Sequence, residues 1–284
     1  MEMRQVFCII LLPVLLFTFG CGGKQSSPVK DEGGTAAVKE KSEALATDSF
    51  KYSLRSEHGT CDVFIDYPVS GPHEVVAALK AFVKSTLFED GGETQSDDPQ
   101  DLVRAYCADR QAHLAKTLEQ MGISQVSRDN APEEGIEIRK VCQTSRFITF
   151  EVYRYSYITH GAHGEYSEYG ATFRIRDGHR FGNDLIEKMD ETLYAHILSG
   201  MREYFKMSSN EQVQSVCTVD LREMPLPTFP PYLVHNGVRY HYSIYDICPF
   251  DMGDPVVTIP YSVALPYMTK EGREMVGDVS TPKQ

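Results

Sequence analysis

Residues 146–181 read RFITFEVYRYSYITHGAHGEYSEYGATFRIRDGHRF. Within 146–157, Ile148, Phe150 and Val152 share one face of an extended chain, and Tyr153, Tyr155 and Tyr157 share the other. Thr159-His160-Gly161-Ala162-His163-Gly164 follows as a small-residue turn. A second strand over 166–176 then runs into Asp177-Gly178, a strong hairpin signal before His179-Arg180-Phe181. Two adjacent strands joined by a turn, with a third closing back, specify an antiparallel sheet.

Working outward, 53–67 reads as one extended segment, with Val63, Ile65 and Tyr67 on one face, and Pro68 to Pro72 break it. Apolar residues at Val75, Val76, Leu79, Phe82, Val83 and Leu87 make a helical stripe. Asp98-Pro99 supplies an N-cap and a first-turn proline for a second helix ending near Gly122. A strand is predicted over 137–143. Downstream, Asn183 is placed to cap a third helix with the stripe Leu185, Met189, Leu193, Ile197, Met201 and Phe205. Asn236-Gly237 marks a hairpin between 232–234 and 238–242, and 256–261 reads as a last strand. Segregated helices and hairpin-joined strands predict an α+β fold: a largely antiparallel sheet with helices packed on it. It divides into two coupled halves, 49–145 and 146–268, followed by a tail over 269–284.

The chain has 284 residues, 42% of them apolar, with 28 Lys plus Arg against 40 Asp plus Glu, a net charge of −12. Such an excess of negative charge disfavours nucleic acid, whose phosphates call for surplus cations. It permits a basic protein as partner. Removing 1–20 leaves the charge unchanged, because Glu2 and Arg4 cancel.

Residues 6–19 are uncharged and apolar, too short for a membrane span of about 20 residues and suited to a signal-peptide core. The run ends in Thr18-Phe19-Gly20-Cys21, which resembles a bacterial lipobox with Cys21 as the lipidated residue. Residues 21–48 have the Gly, Ser, Lys, Glu and Ala composition of a flexible tether. The expectation is a lipoprotein signal over 1–20, a lipid anchor at Cys21 and a periplasmic or surface-exposed envelope domain. Of the 7 Cys, Cys8 leaves with the signal and Cys21 carries lipid. Cys61, Cys107, Cys142, Cys217 and Cys248 remain, an odd number with no Cys-x-x-Cys pair and room for one or two disulfides.

Three segments in order carry a family resemblance: 155–164; then 172–178 with Asn183-Asp184-Leu185-Ile186; then 238–247 with Gly253 and Val257-Thr258-Ile259-Pro260-Tyr261. Together they resemble domain of unknown function 3298, the C-terminal part of the RsiV-type lysozyme-sensing anti-sigma factor. The stretch 53–143 would be its usual N-terminal partner region, which also occurs in some peptidoglycan deacetylases. His160 stands where that family commonly has Gly, and Asp246 and Cys248 replace its Glu and Ala. No sigma-binding segment precedes the apolar run, and no Thr-Phe-Asp-Asp-Gly-Pro deacetylase motif occurs. The resemblance therefore implies a fold and an envelope setting with an extracytoplasmic ligand, a lysozyme-like protein or peptidoglycan, and not an activity.

His160 and His163 could share a metal ion, but no further ligand is identifiable, so they read as residues of a structural turn in which Gly161 and Gly164 take unusual dihedrals. No metal and no cofactor is expected. Glu151, Glu165, Glu168 and Asp246 could furnish a carboxylate pair for glycoside cleavage, yet charged residues on strand faces are more often simply solvated, so no catalytic residue is assigned. The tyrosines Tyr155, Tyr157, Tyr240 and Tyr242, with Tyr153, form either a binding platform or core; burial beneath the third helix is the expectation. Acidic loops at 89–101 and 129–137 are candidate contacts for a basic partner.

Overall fold

A computed structural model describes residues 44–277, except 90, 91, 93, 128 and 129. The expected signal segment, Cys21, the tether as far as 43, Asp129 and the tail from 278 lie outside the described residues. Strands β1 (Ala46–Ser56) and β2 (Gly59–Ser70) form an antiparallel hairpin. The single segment expected over 53–67 is thus two strands, and the first begins inside the stretch read as tether. The chain reverses at Glu57-His58 and enters β2 through Gly59, whose φ is +141°. A Cβ there would lie 2.4 Å from the Pro132 carbonyl oxygen, so only glycine fits.

Helix α1 (His73–Leu87) buries Val75, Leu79, Phe82, Val83 and Leu87 of the expected stripe, with Val76 half-buried. Helix α2 (Pro99–Gln120) begins where the Asp98 carboxylate accepts the N–H groups of Gln100 and Asp101, with Pro99 in the first turn. The two helices carry the chain across to β3 (Glu133–Gln143), which runs parallel to β2. A two-helix crossover, unlike a hairpin, permits that direction. Strands β4 (Phe147–Tyr157), β5 (Glu165–Arg174) and β6 (Arg180–Phe181) follow antiparallel, giving six strands in sequence order. The boundary at 145/146 falls in the β3–β4 turn, so both halves share this sheet.

Asn183 opens only a short 3-10 turn, and helix α3 (Glu191–Phe205) is capped instead by Asp190, which accepts from the N–H groups of Thr192 and Leu193. After α4 (Asn210–Val216) come β7 (Tyr232–Val234), β8 (Gly237–His241) and β9 (Val256–Pro260), a second antiparallel sheet whose first turn holds Asn236-Gly237. Helices α5 (Tyr261–Ala264) and α6 (Lys270–Val276) end the described chain. Helix α6 lies in the stretch read as tail and buries Met275 and Val276.

The large sheet separates two apolar cores. One lies beneath α1 and α2 and contains Cys61, Val63, Ile65, Leu79, Leu102, Phe150 and Val152. The other contains Phe147, Leu193, Ile197, Met201, Val238, Tyr240, Val257 and Ile259. Strand β4 shows why two layers are needed: Phe147, Ile148, Thr149 and Phe150 are buried in succession, and only from Glu151 onward does one face open. A bulge in β3 serves both cores. Lys140 pairs with Phe150 and Cys142 with Thr149, leaving Val141 extra. That added residue moves Cys142 to the face opposite Ile138.

Candidate functional site

Strand β7 crosses β3, β4 and β5 at one end of the large sheet, and the crossing is built from small and polar residues. Gly170 on β5 lies under the Tyr232 ring; a Cβ there would sit 2.2 Å from ring carbons. The Leu233 N–H donates to the Thr172 hydroxyl (2.9 Å), which also bonds Thr149 (2.9 Å). Glu151 accepts from the Tyr232 hydroxyl (3.0 Å) and from Arg239 Nη1 (2.5 Å). Asp246 accepts from Thr228 N and Oγ1 and from Ser243 N. Two carboxylates considered for catalysis, Glu151 and Asp246, therefore hold the fold together.

Past this seam the second sheet stops, and the same face of the large sheet is open. Tyr153 is 36% exposed, and Tyr155 and Tyr157 are half-buried. The expectation that they lie beneath the third helix is overturned, because α3 packs on β9 of the small sheet. Tyr240 and Tyr242 are 0% exposed in the second core, which removes them from any binding face. A strand in the middle of a three-stranded sheet covered by α3 has no free side, and alternation alone did not distinguish it from β4.

Neighbouring loops enlarge the tyrosine face. Tyr153 lies 6.3 Å from Tyr166, Tyr166 lies 6.0 Å from Phe250, and the exposed Tyr245 lies 6.2 Å from Phe250, centroid to centroid. His163 stacks on Phe250 at 3.7 Å and bonds the Gly164 carbonyl through Nδ1. His160 projects from the same turn and is itself the strained residue, with φ +67°. Gly161 and Gly164 do not adopt positive φ. They are required for close approach, to the Ile158 carbonyl oxygen and to the Tyr155 ring. The two histidines are thus parts of a structural turn and an aromatic surface. On its other side the face opens into a groove of about 820 Å³, bordered by Asp62, Glu133 and Glu137 against Lys51 and Arg139. The acidic stretch expected as a loop over 129–137 is largely strand from Glu133, which places those carboxylates beside the tyrosines.

Among the described residues, one group has metal-ligand chemistry: Glu168 on β5, His241 on β8 and Asp254 before β9, with ligand atoms within 4.8 Å of one another. His241 is 3% exposed and shares its Nε2 with Asp254 Oδ2 at 2.9 Å. Two carboxylates and an imidazole could hold a divalent cation. Burial pushes the Glu168 carboxyl above its ordinary range; Glu151 and Asp254 act in the same direction, against His241 and Arg239. A raised carboxyl value means that ionisation opposes folding: the cost is present at neutral pH and vanishes as pH falls below the ordinary glutamate range. Glu168→Gln is therefore expected to melt no lower than the parent at neutral pH, with any difference shrinking towards acid. A clear drop at neutral pH would show that the contact with His241 outweighs desolvation. No sequence signal united these three residues, which come from two sheets.

The arrangement is a two-sheet α+β protein with an open aromatic, acid-bordered face at one end of the larger sheet. Among solved structures, it resembles a DUF3298 family member from Bacteroides fragilis NCTC 9343, with TM-score 0.67 and 20% identity over 84% of this chain and 98% of that one. A DUF3298 family protein from Pseudomonas aeruginosa PAO1 is similar at TM-score 0.50 and 15% identity, over 81% and 94%. The chain has the fold of domain-of-unknown-function-3298 proteins. No family model matches the sequence, and no match to a curated protein was found.

Proposed function

We propose that this chain is a member of the RsiV-like, domain-of-unknown-function-3298 family that works as a binding protein of the bacterial cell envelope, held to a membrane by lipid at Cys21. Its ligand on this reading is a basic, lysozyme-like protein. The observation that carries the reading is the uncovered tyrosine row, Tyr153, Tyr155 and Tyr157, flanked by Glu133 and Glu137. Tyrosines on a rigid strand present large amphipathic surface at low entropic cost, the usual substance of a protein hot spot. The net charge of −12 suits a cationic partner. No helix of the described residues is long and apolar enough to cross a membrane.

Immobilised full-length protein is expected to retain lysozyme at low ionic strength and to release it as salt rises. Tyr153→Ala should weaken capture by roughly 30-fold, the effect of losing a hot spot of about 2 kcal/mol. Absence of capture at low salt would overturn the reading. The aromatic composition of the face also supports wall glycan as ligand, since tyrosine rings can stack on sugars. That alternative expects the protein to pellet with insoluble peptidoglycan, with little dependence on salt.

A further inference from the structure

We propose that the mature protein carries two disulfides, Cys61–Cys107 and Cys217–Cys248, one in each core, and a single buried thiol at Cys142. Four of the five cysteines lie in two close pairs. Cys61 on β2 and Cys107 on α2 are both 0% exposed, and their sulfurs lie 2.7 Å apart. Cys217 follows α4 and its sulfur lies 3.3 Å from that of Cys248. A disulfide needs about 2.05 Å between sulfurs, so side-chain adjustments of about an ångström close both pairs. The backbone beside the second pair is already tied, because Thr218 donates its N–H and its hydroxyl to the Ile247 carbonyl. Cys142 sits apart, its sulfur 4.0 Å from His235 Nδ1, and burial pushes its thiol up, which keeps it protonated and slow to exchange.

The pairs differ in how they can form. Cys217 is half-buried, and its hydrogen bond from Cys248 holds it below the ordinary thiol range. It is the thiol to attack a disulfide oxidant. One oxidant thiol leaves, and Cys248 then displaces the other, so two protein thiols become one disulfide while the oxidant is reduced to two thiols. Cys61 and Cys107 have no solvent access once α2 is seated, so their bond forms before docking is complete and resists reduction afterwards. An exported compartment supplies such an oxidant.

The test is to refold the reduced full chain in a buffer of reduced and oxidised glutathione, then denature it in alkylating agent without reductant and map its peptides. Because the oxidant is supplied, failure here is distinguishable from an error in the envelope reading. Expected are one linked peptide pair containing Cys61 and Cys107, another containing Cys217 and Cys248, and alkyl label on Cys142 and on the N-terminal Cys8 and Cys21. Label on any of the four, or a link across the two pairs, would overturn the assignment. Partial reduction of the folded protein should open Cys217–Cys248 first; earlier loss of Cys61–Cys107 would contradict the order given above.

Discussion

Gly170→Ala is expected to be among the more damaging single-methyl additions at the described glycines of this protein. Gly170 is buried on β5, and its hydrogens face the ring of Tyr232, which is 2% exposed and lies flat against the strand. A Cβ would meet three ring atoms at 2.2 to 2.5 Å, inside any tolerable contact. The ring cannot retreat easily, because its hydroxyl is tied to Glu151 and β7 is tied to β5 by the Leu233–Thr172 bond. Overpacking a core ordinarily costs 1–3 kcal/mol, and a clash against an anchored ring belongs at the top of that range, roughly 3 kcal/mol or more. For a domain of this size that corresponds to a fall in Tm of about 6–12 °C. The clash has one partner, so it should be strongly coupled to it. Gly170→Ala combined with Tyr232→Ala should be more stable than the sum of the two single losses. A Gly170→Ala protein within about 1 kcal/mol of the parent, or strict additivity with Tyr232→Ala, would show that the sheets do not meet as described.

The same pair shows what sequence reading reaches and where it stops. The strands of 146–181 were legible because period-two alternation and an Asp-Gly turn are local signals, and the same holds for the Asn236-Gly237 hairpin. Helix α2 was legible because Asp98 and Pro99 act within one turn. The hairpin of β1 and β2 was missed because its reversal at Glu57-His58 lacks the usual turn residues and depends on Gly59 packing against Pro132. Asn183 looked like a helix cap, yet Asp190 was better placed, and nothing local ranks two candidate caps. Alternation gave Tyr153, Tyr155 and Tyr157 and also Tyr240 and Tyr242 as faces. Which face is covered depends on where β7 crosses the large sheet and where α3 packs on the small one, facts of tertiary packing. Glu168, His241 and Asp254, like the two cysteine pairs, are brought together only by the contact of elements distant in the chain.

Where β7 and β8 meet β4, the pairing of Glu151 with Arg239 leads to the second large effect. The two side chains are 16% and 29% exposed, and Glu151 also accepts the Tyr232 hydroxyl. Arg239→Met keeps most of the aliphatic length and removes the cation, leaving a largely buried carboxylate with one neutral donor. Loss of one partner from a fully buried pair costs 3–5 kcal/mol, and the partial exposure here reduces that to about 2–3 kcal/mol. Adding Glu151→Leu to that variant removes the stranded charge, so the double mutant is expected to recover most of the loss and to melt above Arg239→Met alone. If the double mutant instead melts lower, the pair contributes net stability beyond avoiding an orphaned charge. The comparison also separates the seam from the open face beside it. Measured well below its Tm, Arg239→Met should capture lysozyme as the parent does, because Arg239, on β8 of the crossing sheet, is turned into the seam towards Glu151 and presents little to a ligand. Tyr153→Ala should show the reverse, weaker capture with a Tm close to the parent, since an exposed ring on one side of a strand adds little to folding. A pair of variants that each moved both quantities would mean that the seam and the face are one mechanical unit, with ligand contact at Tyr153 felt through β4 at Glu151.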